Sequence, residues 1–205
     1  MSLRATRGVR VGTVERMTAP LRVVAVSGSL HEPSKTTALL RAITAAVAER
    51  APVEAQLIEL TQIGPSLAGA LTRDQLPPEV EAHLRAIETA DLLIVGSPVY
   101  RASFTGLFKH LFDFVDQYAL VGTPVLLAAT GGGERHALMI EHQLRPLFAF
   151  FQALTLPLGV YASTTDFDGY EVATDVLRAR IALAAERALP LVGYTASRPA
   201  ELLVG

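Results

Sequence analysis

Three stretches of the chain gather residues suited to holding a phosphate and a flat ring. The first, SGSLHEPSKTT (27–37), places Ser27, Ser29, Ser34, Thr36 and Thr37, with Gly28 and Lys35, between the apolar run LRVVAV and an alanine-rich helical pattern. Small residues let the backbone curl, and hydroxyls with free N–H groups at a helix start complement a phosphate. A capped strand-to-helix turn needs a single Ser or Thr, and here five hydroxyls fall within eleven residues. The spacing is neither GxxxxGK[ST] nor GxGxxG, so this is no P-loop or dinucleotide fingerprint. Lys35 either adds charge to the site or is a solvated first-turn lysine. The second stretch, SPVYRASFTG (97–106), begins with Ser97-Pro98. Proline holds the backbone around it extended, so Val99, Tyr100 and Arg101 can offer amides and an apolar wall to a ring. The third, TGGG (130–133), permits close approach of backbone to a planar ligand.

For these stretches to act together they must meet. Apolar runs at 21–27, 53–60, 91–97, 123–130 and 156–162 alternate with helical patterns near 35–50, 77–89, 104–117, 134–153 and 171–192. Runs 21–27, 91–97 and 123–130 are almost wholly apolar, as central parallel strands are, while 53–60 alternates and belongs nearer an edge. The pattern predicts an α/β fold: a flavodoxin-like, doubly wound parallel sheet of five strands, order 2-1-3-4-5, with helices on both faces. The three stretches then follow strands one, three and four, at the carboxyl edge where such sheets bind ligands. Together they point to a phosphate-bearing planar cofactor, most economically FMN. Residues 61–76 read as a loop. One domain is expected over 21–192, with an extension at 1–20 and a tail at 193–205.

Bulk composition removes several other functions. The 205 residues are half hydrophobic and 19% charged, enough for one self-sufficient core. Lys and Arg total 18 against 20 Asp and Glu, which offers no electrostatic case for nucleic acid or an acidic membrane. The chain has no cysteine, hence no disulfide, thiol catalysis or cysteine-ligated metal. No apolar run reaches the roughly 18 residues of a membrane span, and a cytoplasmic protein is expected. His31, His83, His110, His136 and His142 form no HxxxH pair, and GxSxG is absent, so neither a zinc site nor a Ser–His–Asp hydrolase is indicated.

VSGSLHEPSKTTALL, SPVYRASFTGLFKHLFDF and ATGGGERHALMIEHQLRPLF together resemble the NAD(P)H-dependent FMN reductases of the flavodoxin-like fold. The nearest likeness is to the branch that supplies reduced FMN to alkanesulfonate or methanesulfonate monooxygenases. It covers about residues 21–192 and rests on the paired SPVY and TGGxxxH segments. The resemblance implies that Ser29, Ser34, Lys35, Thr36 and Thr37 hold the FMN phosphate. It places Pro98, Val99, Tyr100 and Arg101 along the ring edge, and Thr130, Gly131, Gly132 and Gly133 on the other side. Hydride would pass from NADPH or NADH to FMN, and reduced flavin would leave for a flavin-dependent monooxygenase. Flavin accepts hydride directly, so no side-chain acid or base is named. Two rivals stand beside this reading. One is an enzyme that holds FMN and reduces quinones, azo dyes or chromate. The other is a flavodoxin-type electron carrier, against which the near-neutral charge and the longer first loop argue.

Two helical patterns carry further expectations. Of eight phenylalanines, Phe104, Phe108, Phe112 and Phe114 crowd one pattern and Phe148, Phe150 and Phe151 another. Apolar residues around much of an outer helix predict a partner, here a homodimer or homotetramer. Pro146 cannot donate to the carbonyl of His142 and crowds it, so helix 134–153 must bend or bulge there, with a π-turn as one solution. In the resembling reductases an inserted Tyr or His forms such a bulge at the subunit interface near the flavin, and His142 occupies that place.

Overall fold

The computed structural model describes residues 19–192, so residues 1–18 of the expected extension and the tail at 193–205 lie outside it. Its sheet follows the order β2-β1-β3-β4-β5, with β1 (Leu21–Ser27), β2 (Val53–Glu59), β3 (Leu92–Pro98) and β4 (Pro124–Gly131) all parallel. Strand β2 is the edge strand, and its solvent-side residues Glu54 and Gln56 are exposed. The two faces of β1 supply two cores. Val24 and Val26 pack toward α2 (Leu60–Leu67), α3 (Pro78–Glu88) and α4 (Gly106–Asp113). Val23 and Ala25 pack toward α1 (Lys35–Ala48) and α6 (Asp175–Val192). Helices on both faces leave only the strand ends open, as such sheets require.

Several boundaries differ from the hydropathy reading. Residues 61–76 are not a loop: α2 occupies Leu60–Leu67 and a 3-10 turn Arg73–Gln75. Gly64-Pro65 reads as a breaker, but burial of Leu60, Ile63 and Leu67 on one face holds the helix together. The fifth strand is split into β5 (Leu154–Thr155) and β6 (Val160–Ser163), both pairing with β4. Between them Pro157 has no N–H for the ladder, and Arg145 donates instead to the Leu156 carbonyl at 2.9 Å. The last helix starts at Asp175, because Phe167–Asp168 (β7) and Glu171–Val172 (β8) pair as a small antiparallel hairpin around Gly169, at φ 58°. Helix 104–117 shortens to Gly106–Asp113.

Helix 134–153 is in three pieces. A 3-10 turn (Glu134–His136) is followed by a π-helical turn (Ile140–Leu144) and α5 (Arg145–Phe150). The Arg145 N–H reaches back to the Ile140 carbonyl, a five-residue step, one position before Pro146. The π-turn thus falls where the proline conflict requires a change of register, with His142 at its centre and exposed.

The phenylalanines need a correction. Phe108, Phe112, Phe148 and Phe151 are at most 2% exposed within this single chain and stack on one another with centroids 4.9–6.4 Å apart. They fill the core between α4, α5 and the sheet, so they offer no free surface to a partner. Phe150, at 64% exposed, and Leu138, at 63%, do.

Candidate functional site

The carboxyl ends of β1, β3 and β4 are tied into one edge by hydroxyl and backbone bonds. Gly28 donates its N–H to Gly96 at 2.7 Å, and Val99 donates to Thr130 at 2.7 Å, continuing the ladder past the strands. Thr36 and Thr130 share a 2.6 Å hydroxyl bond, joining the first turn of α1 to the end of β4. Ser27 and Thr37 share another at 2.8 Å. The Thr105 hydroxyl donates to the Gly28 carbonyl at 2.7 Å, and the buried Ser97 hydroxyl accepts the Thr105 N–H at 3.2 Å. Ser97 and Thr105 thus tie the edge together, and neither was among the predicted site residues. Their signal was a buried hydroxyl at a strand end and another at a helix N-cap.

Inside the first loop most of the predicted side chains are already engaged. Ser34 is the N-cap of α1 and accepts the Thr37 N–H at 3.2 Å. Ser29 donates to the His31 carbonyl at 3.0 Å. The Lys35 ammonium is held by the Thr164 carbonyl at 3.3 Å and lies 5.8 Å from the Phe167 ring centroid, beyond the end of β6. What the loop leaves free is backbone. Among the described residues, the N–H groups of Ser29, Leu30, Ser34, Lys35 and Thr36 find no acceptor. Two of them, on Lys35 and Thr36, open the 14-residue helix α1, where aligned peptide dipoles favour an anion.

The second loop turns sharply. Tyr100 and Ser103 exchange both N–H···O bonds, at 2.8 and 3.1 Å, around Arg101 (φ 52°) and Ala102 (φ 69°). Two successive non-glycine residues in the left-handed region cost about 1–3 kcal/mol each. The turn is held by the Ser103 hydroxyl, which donates to the Gln143 amide oxygen at 3.0 Å in the π-turn. Pro98 and Val99 are half-buried, and Tyr100 and Arg101 are exposed.

In the third loop, a side chain on Gly131 would collide with the Tyr161 hydroxyl and come within 3.2 Å of the His136 Cβ. That hydroxyl donates to the Gly133 carbonyl at 2.6 Å and fixes the loop. Burial pushes the Tyr161 phenol upward in pKa, and nearby Glu134 adds to the effect. Side chains on Gly132 and Gly133 would meet nothing within 4 Å, so no contact among the described residues requires glycine at either place. Beyond β6, burial pushes the Asp166 carboxyl upward, but bonds from the Ser163 N–H and from the Thr174 and Ser163 hydroxyls outweigh it and leave it lowered. Asp166 thereby fastens the loop whose Thr164 carbonyl holds Lys35. Among the described residues no cluster of His, Asp or Glu could hold a metal ion, and no helix is long and apolar enough to cross a membrane.

The structure therefore brings Ser29, Ser34, Thr36, Thr37, Pro98, Val99 and Thr130–Gly133 to one edge, with Tyr100 and Arg101 on its rim. Residues 21–168 match the model of the family described as NADPH-dependent FMN reductase. An FMN reductase (NADPH) from Pseudomonas aeruginosa is 58% identical over 177 residues, covering 86% of this chain and 95% of that protein. The NADH-dependent FMN reductase SfnF of Pseudomonas fluorescens is 59% identical over 177 residues, with coverage of 86% and 95%. Among solved structures, an oxidoreductase from Corynebacterium diphtheriae superposes with TM-score 0.73 at 38% identity, covering 85% of this chain and 98% of its own. The apo NADH:FMN oxidoreductase EmoB gives TM-score 0.73 at 27% identity, with coverage of 87% and 91%.

Proposed function

The chain belongs to the NADPH-dependent FMN reductase family, and we propose that it passes hydride from NADH or NADPH to FMN and yields reduced flavin to a flavin-dependent monooxygenase. One observation carries the site assignment. The first loop and the start of α1 hold N–H groups without acceptors, and the Thr36–Thr130 bond ties that helix start to the end of β4, where Gly132 and Gly133 have open space in place of a side chain. That is a donor cradle next to room for a flat ring, the two things FMN requires. The cradle at Ser29–Thr37 takes the phosphate, Pro98–Arg101 lines the ring edge, and Thr130–Gly133 closes the opposite side. FMN held there would supply the acceptor for a hydride from the nicotinamide. The chain's residues bind and orient. The amides donate hydrogen bonds to the phosphate, and the Tyr161–Gly133 bond keeps the glycine backbone in place.

A homodimer or homotetramer belongs to the same reading, supported by exposed Phe150 and Leu138. So do one domain over 21–192, flanked by an extension and a tail, and a cytoplasmic location, for which the lack of cysteine speaks. The test compares FMN with riboflavin in NAD(P)H oxidation and in binding. Loss of several charge-assisted bonds of roughly 1.5–3 kcal/mol each weakens riboflavin binding by orders of magnitude. Equal affinity for the two flavins removes the phosphate cradle. A deeply yellow protein that turns over quinones but not free flavin replaces the reading with an FMN-holding reductase.

A further inference from the structure

A group of basic side chains beside this edge has no role in the reading above. A cleft of about 160 Å³ opens between the 98–104 loop and the 134–143 segment, with Val99, Ala102, Arg135, His136, Met139 and His142 in its walls. The open cleft has room for a phosphate group. Arg135, His136 and His142 are exposed, and among the described residues none has a hydrogen-bond or ion-pair partner for its side chain. The neighbouring carboxylates offset part of this charge. Glu141 is gripped by the Arg145 guanidinium at 2.5 and 2.8 Å, with His142 also acting on it, while exposed Glu134 stands next to Arg135 in the chain and close enough to Tyr161 to raise its phenol pKa. Both walls are fixed, one by the Ser103–Gln143 bond at 3.0 Å and the other by the Tyr161–Gly133 bond.

The phosphate cradle for flavin lies at the β1 end of the edge, whereas this cleft lies beyond the ends of β3 and β4. An anion seated here is therefore not the flavin's own phosphate. The other substrate, a nicotinamide dinucleotide, carries a pyrophosphate and, in NADPH, a 2′-phosphate. We propose that Arg135, with His136 and His142, seats a phosphate of the nicotinamide dinucleotide. The proposal rests on the flavin reductase reading and adds residues that hold its reductant. Arginine suits the task because its planar fork meets two phosphate oxygens at once.

The test measures KM and kcat for NADH and NADPH at saturating FMN in wild type, Arg135→Gln and Arg135→Lys. Calorimetric titration of the flavin-free protein with ADP and 2′,5′-ADP runs alongside. In Arg135→Gln, KM rises about 10- to 100-fold while kcat stays within about twofold, and Arg135→Lys recovers part of the loss. A rise for NADPH alone, with weakened 2′,5′-ADP but not ADP, assigns the 2′-phosphate. A rise for both nucleotides assigns the pyrophosphate. Nucleotide KM and ADP affinities that stay within about twofold of wild type overturn the proposal, as does a loss confined to FMN affinity. A wild type that oxidises neither nucleotide with FMN refutes the flavin reductase reading instead, and the titration still decides whether the cleft takes a phosphate.

Discussion

Thr36 and Thr130 stand 94 residues apart and share a 2.6 Å hydroxyl bond, at 2% and 7% exposure. Thr36→Val keeps the shape of the side chain but strands the Thr130 hydroxyl without a partner in a buried place. Such an orphan costs about 1–3 kcal/mol, which for a domain of this size lowers Tm by roughly 2–4 °C per kcal/mol. Thr130→Val costs a similar amount for the same reason. In Thr36→Val/Thr130→Val both hydroxyls are gone, so the double variant is more stable than the sum of the single losses by about 1–2 kcal/mol. Urea unfolding of the four proteins measures that coupling. FMN affinity, followed by quenching of flavin fluorescence, separates a second role. If the Thr36 hydroxyl also meets the phosphate, the double variant recovers stability while its FMN affinity stays about 10-fold weak. Strictly additive stability losses refute the pairing, and FMN affinity that recovers together with stability refutes direct phosphate contact.

Gly131→Ala drives a methyl group into the Tyr161 hydroxyl and lowers Tm by several degrees, whereas Gly132→Ala leaves Tm unchanged and weakens FMN, as thermal scans and flavin titration will show. Phe150→Glu shifts the oligomer toward monomer in light scattering without unfolding it, while Phe151→Glu, 2% exposed in wild type, unfolds the chain by circular dichroism. Arg73 bridges Glu81 and Glu88 at 2.9 and 2.5 Å, and its hydrogen bond to Glu81 holds that carboxyl at about 2, against an ordinary 4.5. A depressed carboxyl stabilises above its unfolded pKa and loses that contribution as pH falls, so the stability gap between wild type and Arg73→Met closes between about pH 4.5 and 2 in urea titrations. If the π-turn loosens the pocket so that FMN leaves after reduction, deleting His142 restores regular register before Pro146 and gives a protein that purifies yellow and supports no monooxygenase while still reducing ferricyanide; a colourless, fully active product refutes that role.

The strand order and the central strands were legible because burial on both faces leaves nearly continuous apolar runs, as in LLIVG of β3. A bend or bulge near His142 was legible because the conflict at Pro146 is local: one missing N–H and one crowded carbonyl; the structure resolves it as a π-turn. Helix α2 was hidden because its signal is tertiary. Burial of Leu60, Ile63 and Leu67 overrides Gly64-Pro65, and no local preference records that. The phenylalanine clusters misled for a related reason. An apolar count around a helix does not distinguish contact with a partner from contact with a neighbouring element, and α5 lies directly against α4 through Phe112 and Phe148.

The first loop marks the limit of reading chemistry from residue types. Four of the five hydroxyls there, on Ser29, Ser34, Thr36 and Thr37, are read with Lys35 as ligands for a phosphate. The structure instead uses Ser27 with Thr37, and Thr36 with Thr130, to fasten the loop, and Ser34 to cap α1. The donors left over are amides, which composition cannot display because every residue but proline has one. On the proposed reading the hydroxyls act one step back, by fixing the curl that carries these amides. On this account Ser27→Ala weakens FMN by loosening Thr37, although Ser27 is fully buried and its hydroxyl is spent on that bond. Flavin titration beside urea unfolding decides the point. A variant that loses stability but keeps its FMN affinity confines Ser27 to packing and breaks the link between the buried hydroxyls and the amide cradle.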